Sequence, residues 1–245
     1  MMSGQSQPKV AVLVNGELRQ FDIAYSTWRF KDELNCDFYF STWDTVKQSN
    51  ANLDISIEET ISEKSITKFI PNANIQIFNR DDYDFPNDTF YHNDKFLFHI
   101  KNSYIKMKQS GIDYDFIMMT RPDNYKTYDY SYEKFKYLTD SGAIYGLTPI
   151  QLGNRPSTNE FSVVVDYLFF GTYDTMSKMI ESLPNSVSSN IHVFWAHHFM
   201  NLDLYVKRID GFNLNVLRPN IREKDTINMH TVHQAFIEWG HNTGK

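Results

Sequence analysis

The chain alternates short apolar runs with polar stretches, at a spacing that predicts an α/β protein. After its lysine, Lys9-Val-Ala-Val-Leu-Val14 is continuously apolar, as in a strand covered on both faces. Asn15-Gly16 ends it. A helix through Phe21 and Trp28 is expected next, then a second strand, Cys36-Asp-Phe-Tyr-Phe40, closed by Ser41-Thr-Trp-Asp44. Strand, helix and strand in that order predict a βαβ unit and a mostly parallel sheet flanked by helices. Ser56 to Phe69 carries spaced isoleucines among polar residues and predicts an amphipathic helix, and Asn74-Ile-Gln-Ile-Phe78 predicts a third strand. Asp81 to Asp94, acidic and interrupted by Pro86, reads as a loop. Phe96, Ile100, Tyr104 and Met107 recur at helical spacing, so Lys95 to Gln109 predicts a helix that stops before Gly111.

Phe116 to Met119 is a further apolar run, ended by Pro122, which has no N–H for a ladder. A short strand at Ala143 to Gly146, a polar loop at Gln151 to Glu160 and an apolar segment from Phe161 to Gly171 follow. Asp174 to Leu183 predicts a helix capped near Thr172 or Asp174, Asn190 to Leu202 another, and Leu204 to Ile209 a strand. Residues from Arg218 onward read as an irregular tail. Residues 1–8 read as a flexible start and residues 9–245 as a single domain.

Composition narrows the function. A net charge of −6 supplies no global attraction to nucleic acid or anionic membrane. Aromatic residues make up 16% of the chain, which predicts a ring-rich core. The single cysteine, Cys36, rules out an internal disulfide framework and a cysteine-built zinc site; within an apolar segment it reads as a buried thiol. No run is long enough to span a bilayer and no signal-peptide core is visible, so a cytoplasmic protein without integral membrane contact is expected.

Candidate chemistry gathers where the predicted strands end, the edge at which open α/β sheets bind ligands. Arg121 and Asp123 lie two residues apart behind the Phe116 run. The carboxylate can hold a divalent cation and the guanidinium can fork onto phosphate oxygens, a pairing that suits a nucleotide diphosphate; the alternative is a structural ion pair capping the strand. Behind the first strand, Asn15, Gly16 and Arg19 permit close backbone approach and a phosphate or base contact, or form an ordinary strand-to-helix turn. At the second tip, Thr42 and Asp44 offer groups for a base or ribose hydroxyl, or an N-cap beside a packed Trp43. Asp166 interrupts an apolar run and must be paired or face a cavity: a candidate general base or sugar contact, or a carboxylate satisfied by backbone amides. His197 and His198 are candidate base or acceptor contacts, or plain solvated and core histidines. Together with His192 they lack the spacing of a zinc site. His230 and His233 read the same way. The mixtures of lysine and tyrosine around Tyr104 and Lys126 read as solvated faces.

The ordered set Gly16-Glu-Leu-Arg19, Ser41-Thr-Trp-Asp44, Arg121-Pro-Asp123 and Asp166-Tyr-Leu-Phe-Phe-Gly171 resembles the nucleotide-diphospho-sugar glycosyltransferases of the GT-A fold. It is nearest in pattern to bacterial and viral polysaccharide-type members with an Arg-x-Asp element, over about residues 9 to 218. The resemblance implies a GT-A-like, Rossmann-type sheet and transfer of a sugar from a nucleotide-diphosphate donor to a hydroxyl acceptor. It implies donor binding by Asn15, Gly16, Arg19, Thr42, Asp44, Arg121 and Asp123, with catalysis by Asp166 and Arg121. It also implies Mn²⁺ or Mg²⁺ on Asp123. A surface polysaccharide or lipopolysaccharide is the implied acceptor, in a bacterial cell or a virus-infected host. Hydroxymethylated DNA bases, modified by a phage enzyme, are the alternative acceptor, and a non-catalytic sugar-nucleotide or glycan-binding module is the alternative class. Two departures stand out: Arg121 replaces the first acid of Asp-x-Asp, and the helix from Asn190 carries no acid.

Overall fold

The computed structural model describes residues 7–50, 55–83, 92–126, 142–147, 165–187, 191–208 and 214–216. Strand β1 (Lys9–Asn15) is followed by two short helices, α1 (Phe21–Ser26) and α2 (Phe30–Glu33), and by β2 (Asn35–Trp43), which pairs parallel to β1. The βαβ opening is therefore present, with its helix broken at Thr27, whose hydroxyl turns back to the Ala24 carbonyl. The second strand is longer than its apolar run. Ser41, Thr42 and Trp43 continue the ladder, pairing with Gln76, Ile77 and Phe78.

The predicted helix from Ser56 to Phe69 is replaced by a strand and a short helix. Strands β3 (Thr45–Asn50) and β4 (Ile55–Thr60) form an antiparallel pair, and a short helix α3 (Glu63–Thr67) follows. Ile55 and Ile57 alternate with Ser56 and Glu58, a period of two that favours a strand over a helix. The helix starts only where the Ser65 hydroxyl accepts the Ser62 N–H. Strand β5 (Asn74–Phe78) is as expected. Helix α4 (His92–Gln109) begins three residues before the predicted Lys95 and takes the end of the expected loop; residues 84–91 lie outside the described set.

Strands β6 (Phe116–Thr120), β7 (Asn124–Lys126), β8 (Ala143–Leu147) and β9 (Val165–Thr172) follow, then α5 (Tyr173–Glu181), α6 (Ile191–Asn201), β10 (Tyr205–Arg208) and β11 (Leu214–Val216). The Thr172 side chain caps α5 by accepting the Thr175 N–H, as the sequence predicts. The Gln151 to Glu160 loop and the tail from Arg218, with His230 and His233, lie outside the described residues.

Seven strands form one sheet in the order β10-β8-β9-β6-β1-β2-β5. All pair parallel except β9, which runs antiparallel to both β6 and β8. The two faces are separately covered. Val10, Val12 and Val14 pack with Phe21, Trp28, Phe30 and Ile66 from α1, its following turn, α2 and α3. Ala11 and Leu13 face Leu97, Ile100, Met176 and Trp195 from α4, α5 and α6. That two-sided cover is why β1 is apolar at every inner position.

In chain order β1 neighbours β2 on one side and β6 on the other, so the winding reverses at β1. The crevice beyond the C-terminal ends of β1 and β6 is the topological switch point of the sheet. No described helix is long and apolar enough to cross a membrane.

Candidate functional site at the strand tips

The parallel strands bring the ends of β1, β2, β5 and β6 to one edge. Reversed β9 starts at that same edge. Leu168 pairs with Thr120, so Asp166, two residues earlier, stands beyond that pair beside the Arg-Pro-Asp turn. This holds for its backbone; its side chain lies outside the described set.

At the tip of β6, Arg121 grips Asp123 in a two-point ion pair: Nε donates to Oδ1 and Nη2 to Oδ2, both at 2.9 Å. The Asp123 side chain is 2% exposed and that of Arg121 22%. The turn is fixed from below. The Asn124 amide donates to the Thr120 hydroxyl at 3.0 Å, and the Trp28 indole N–H donates to the Asn124 carbonyl at 2.7 Å. Trp28 thus joins the first crossover to the Arg121 turn, a long-range contact that sequence spacing does not reveal.

Gly16 leaves β1 at φ +110°, and its N–H donates to the Ser41 carbonyl at 3.1 Å. That conformation is open to glycine and strained for other residues. Just beyond it, Arg19 turns back onto Glu17, with Nε at 2.8 Å and Nη2 at 2.7 Å from Oε2. Arg80, immediately past β5, donates from Nη1 to Oε1 of the same carboxylate at 2.9 Å. Glu17 and Arg80 join the edge although the sequence pattern did not single them out. Their signal is positional, since each lies two residues past a strand end.

Asp44 sits between these groups. Its Oδ1 accepts the Arg80 backbone N–H at 3.1 Å and the Thr45 hydroxyl at 3.3 Å, while its own N–H donates to the Phe78 carbonyl. It ties the tips of β2 and β5 together, and a strand rather than a helix follows it at Thr45. Thr42 is buried, its hydroxyl reaching the Trp43 carbonyl at 3.5 Å. Asn15 is also buried; its amide donates to Leu13 and its oxygen accepts Ser103 of α4 at 2.6 Å. One turn earlier on α4, His99 Nδ1 lies 2.8 Å from the Ser41 hydroxyl. Burial first, then the Arg80 charge, holds the His99 imidazole down to about 3. Trp43 stacks on Phe98 and meets the His99 ring edge-on at 4.4 Å between centroids. Of the predicted donor residues, Gly16, Arg19, Asp44, Arg121 and Asp123 line the edge, while the Asn15 and Thr42 side chains are engaged within the fold.

The late histidines stand apart. His198 is buried on α6, with Nε2 at 3.0 Å from the Met179 carbonyl of α5; His197 is exposed. Burial lowers the His198 pKa, offset by that backbone contact. The Cys36 thiol is pushed up to about 12 by burial and then by the Asp37 charge, which leaves it unreactive near neutral pH.

As a divalent-metal site the edge does not fit in this arrangement. Both Asp123 oxygens are held by Arg121, and no group of three histidine, cysteine or carboxylate side chains among the described residues is placed to hold an ion.

No family model matches the chain, and no curated protein matches it. Among solved structures, a mutant of Drosophila β1,4-galactosyltransferase 7, complexed with manganese, UDP-Gal and xylobiose, aligns at a TM-score of 0.42 and 13% identity. The alignment covers 92% of this chain and 79% of that one. A likeness of that depth carries no weight for the fold or chemistry of this chain.

Proposed function

We propose that the chain is a GT-A-like glycosyltransferase that takes its donor, a nucleotide-diphosphate sugar, at the tips of β1, β2, β5 and β6. The observation that carries this reading is the row of guanidinium groups along the switch-point edge. Arg121 stands behind β6, Arg19 behind β1 and Arg80 behind β5, each partly buried and each held in place by a carboxylate. Fixed cations with little solvent around them stabilise a diphosphate leaving group with no reorganisation at the moment of reaction.

In the proposed reaction the acceptor hydroxyl oxygen attacks the anomeric carbon. The bond from that carbon to the diphosphate oxygen breaks, and the departing diphosphate keeps the electron pair. Arg121 and Arg19 take the charge that develops there. Asp166, whose backbone lies at the same edge, receives the hydroxyl proton in an inverting transfer. Gly16 allows the donor to approach the backbone, and Asp44 is the hydrogen-bonding partner assigned to a ribose or base hydroxyl. Mn²⁺ or Mg²⁺ on Asp123 is what the family resemblance implies; it requires Arg121 to release that carboxylate, and no step here runs through a metal. The acceptor assigned by the same resemblance is a glycan hydroxyl.

A second reading, a non-catalytic sugar-nucleotide binder, is favoured by one feature: α6 carries no acidic residue. Turnover separates the two. A panel of nucleotide-diphosphate sugars, incubated with the protein with and without Mn²⁺, is assayed for release of nucleoside diphosphate. Release with at least one donor, abolished in Arg121→Gln, is the expected result. Binding without release supports the second reading, and neither binding nor release overturns both.

A further inference from the structure

Outside the Arg121 turn, a second cluster of charges on the edge is built around Glu17. One carboxylate oxygen, Oε2, takes Arg19 through Nε and Nη2, and the other, Oε1, takes Arg80 through Nη1 at 2.9 Å. The three side chains are 13%, 24% and 22% exposed, respectively, so the contacts are shielded but reachable from solvent. A third cation is nearby. Lys95 lies on α4 one turn before His99, on the helix face whose His99 ring meets the Ser41 hydroxyl near the β2 tip; burial and then the Arg80 charge lower its pKa, and Glu17 raises it. Two guanidinium groups therefore converge on one carboxylate, with Lys95 close by, while Asp44 accepts the Arg80 backbone N–H rather than its guanidinium.

The cations come from separate places: the loop after β1, the tip of β5 and the start of α4. Glu17 links the first two. Glu17 itself directly follows Gly16, whose φ of +110° sets the direction in which the loop leaves the strand. Guanidinium N–H groups that donate to carboxylate oxygens can donate in the same way to phosphate oxygens.

We infer that Glu17, Arg19, Arg80 and Lys95 form a phosphate-binding site in which Glu17 is a resident stand-in for the ligand, and that an arriving diphosphate takes Arg19 and Arg80 over from it. The inference deepens the donor reading, on which it rests. It adds Arg80 and Lys95 to the diphosphate contacts, makes them independent of a divalent cation, and gives Glu17 the role of an internal competitor that sets affinity. Removing the Glu17 charge should therefore tighten phosphate binding, which is the opposite of what loss of a ligand contact does.

The test is calorimetric titration of inorganic pyrophosphate in EDTA into the wild-type chain and the Glu17→Gln, Arg80→Gln, Arg80→Lys and Lys95→Gln variants. UDP-glucose and GDP-mannose are titrated in parallel, and circular dichroism checks each variant for folding. Pyrophosphate should bind about tenfold more tightly to Glu17→Gln and about tenfold more weakly to Arg80→Gln, with Arg80→Lys between, because each charged contact removed or freed is of that order. Weaker or unchanged binding by Glu17→Gln, or unchanged binding by folded Arg80→Gln and Lys95→Gln, overturns the inference. If Arg80→Gln does not fold, the Glu17→Gln and Lys95→Gln results decide alone. Pyrophosphate binding that depends on Arg80, with no sugar nucleotide bound, leaves the anion site standing and removes the transferase reading. Sugar nucleotides that bind equally well to all variants do the reverse.

Discussion

Arg121 and Asp123 hold each other through two parallel hydrogen bonds, each 2.9 Å, with the carboxylate almost wholly out of solvent. The pair is at once a structural clamp on the β6 tip and the means by which Arg121 is pointed. Asp123→Ala removes the two-point carboxylate partner of a partly buried guanidinium. A loss of about 3 kcal/mol is expected, as for the breaking of a buried pair from one side. Asp123→Asn keeps one acceptor and should lose about half as much. Urea denaturation of both variants measures this. Equal stability of Asp123→Ala and wild type would mean that the pair does not hold the turn.

The Trp28 indole bonded to the Asn124 carbonyl predicts coupling between the first crossover and the Arg121 turn. Trp28→Phe preserves most of the packing and removes one buried hydrogen bond, for an expected cost of about 1–2 kcal/mol. Hydrogen exchange should show faster opening at Asn124 than at the β1 amides. Uniform acceleration across the sheet would contradict a local role.

Gly16→Ala tests whether the β1 exit is set by backbone conformation. An added Cβ meets nothing within 4 Å, so steric clash is absent, but φ is +110°. The expected cost is about 1–3 kcal/mol of strain, read as a lowered Tm. An unchanged Tm would show that the loop rearranges freely.

His99 makes stability depend on pH. In the unfolded chain it titrates near the usual 6.5, whereas in the fold burial and Arg80 hold it down to about 3. Between those values the unfolded chain binds the proton that the folded chain refuses. This group therefore leaves stability untouched above pH 6.5 and erodes it as pH falls toward 3, by at most about 1.4 kcal/mol per pH unit. His198, also lowered by burial, acts in the same direction. Denaturation curves from pH 7 to pH 4 should flatten in His99→Gln. An identical slope in that variant would assign the pH dependence elsewhere.

The sheet was readable because β1, β2 and β6 are buried on both faces and their apolar runs announce it. Tyr145 and Phe170 pair across β8 and β9, yet nothing local in the Val163 to Gly171 run says that β9 is reversed. Strand β4 falls within the Ser56 to Phe69 segment, whose isoleucines satisfy both periods in a short, polar window, so the pattern alone predicts a helix there. At the site, Arg121, Asp123, Gly16 and Arg19 were visible as residues that interrupt or follow apolar runs. Arg80 was not, because its partner Glu17 lies 63 residues away. His99 is hidden inside a regular helical pattern, and its contacts with Ser41 and Trp43 show that it faces the strand tips.

The most direct test of the strand-tip donor site is equilibrium titration of nucleotide-diphosphate sugars into the wild-type chain and Arg121→Gln, with the fold of each confirmed by circular dichroism. Binding of at least one donor, weakened about tenfold or more in the variant, is the predicted result. No binding by any donor, or equal binding by both proteins, would contradict it.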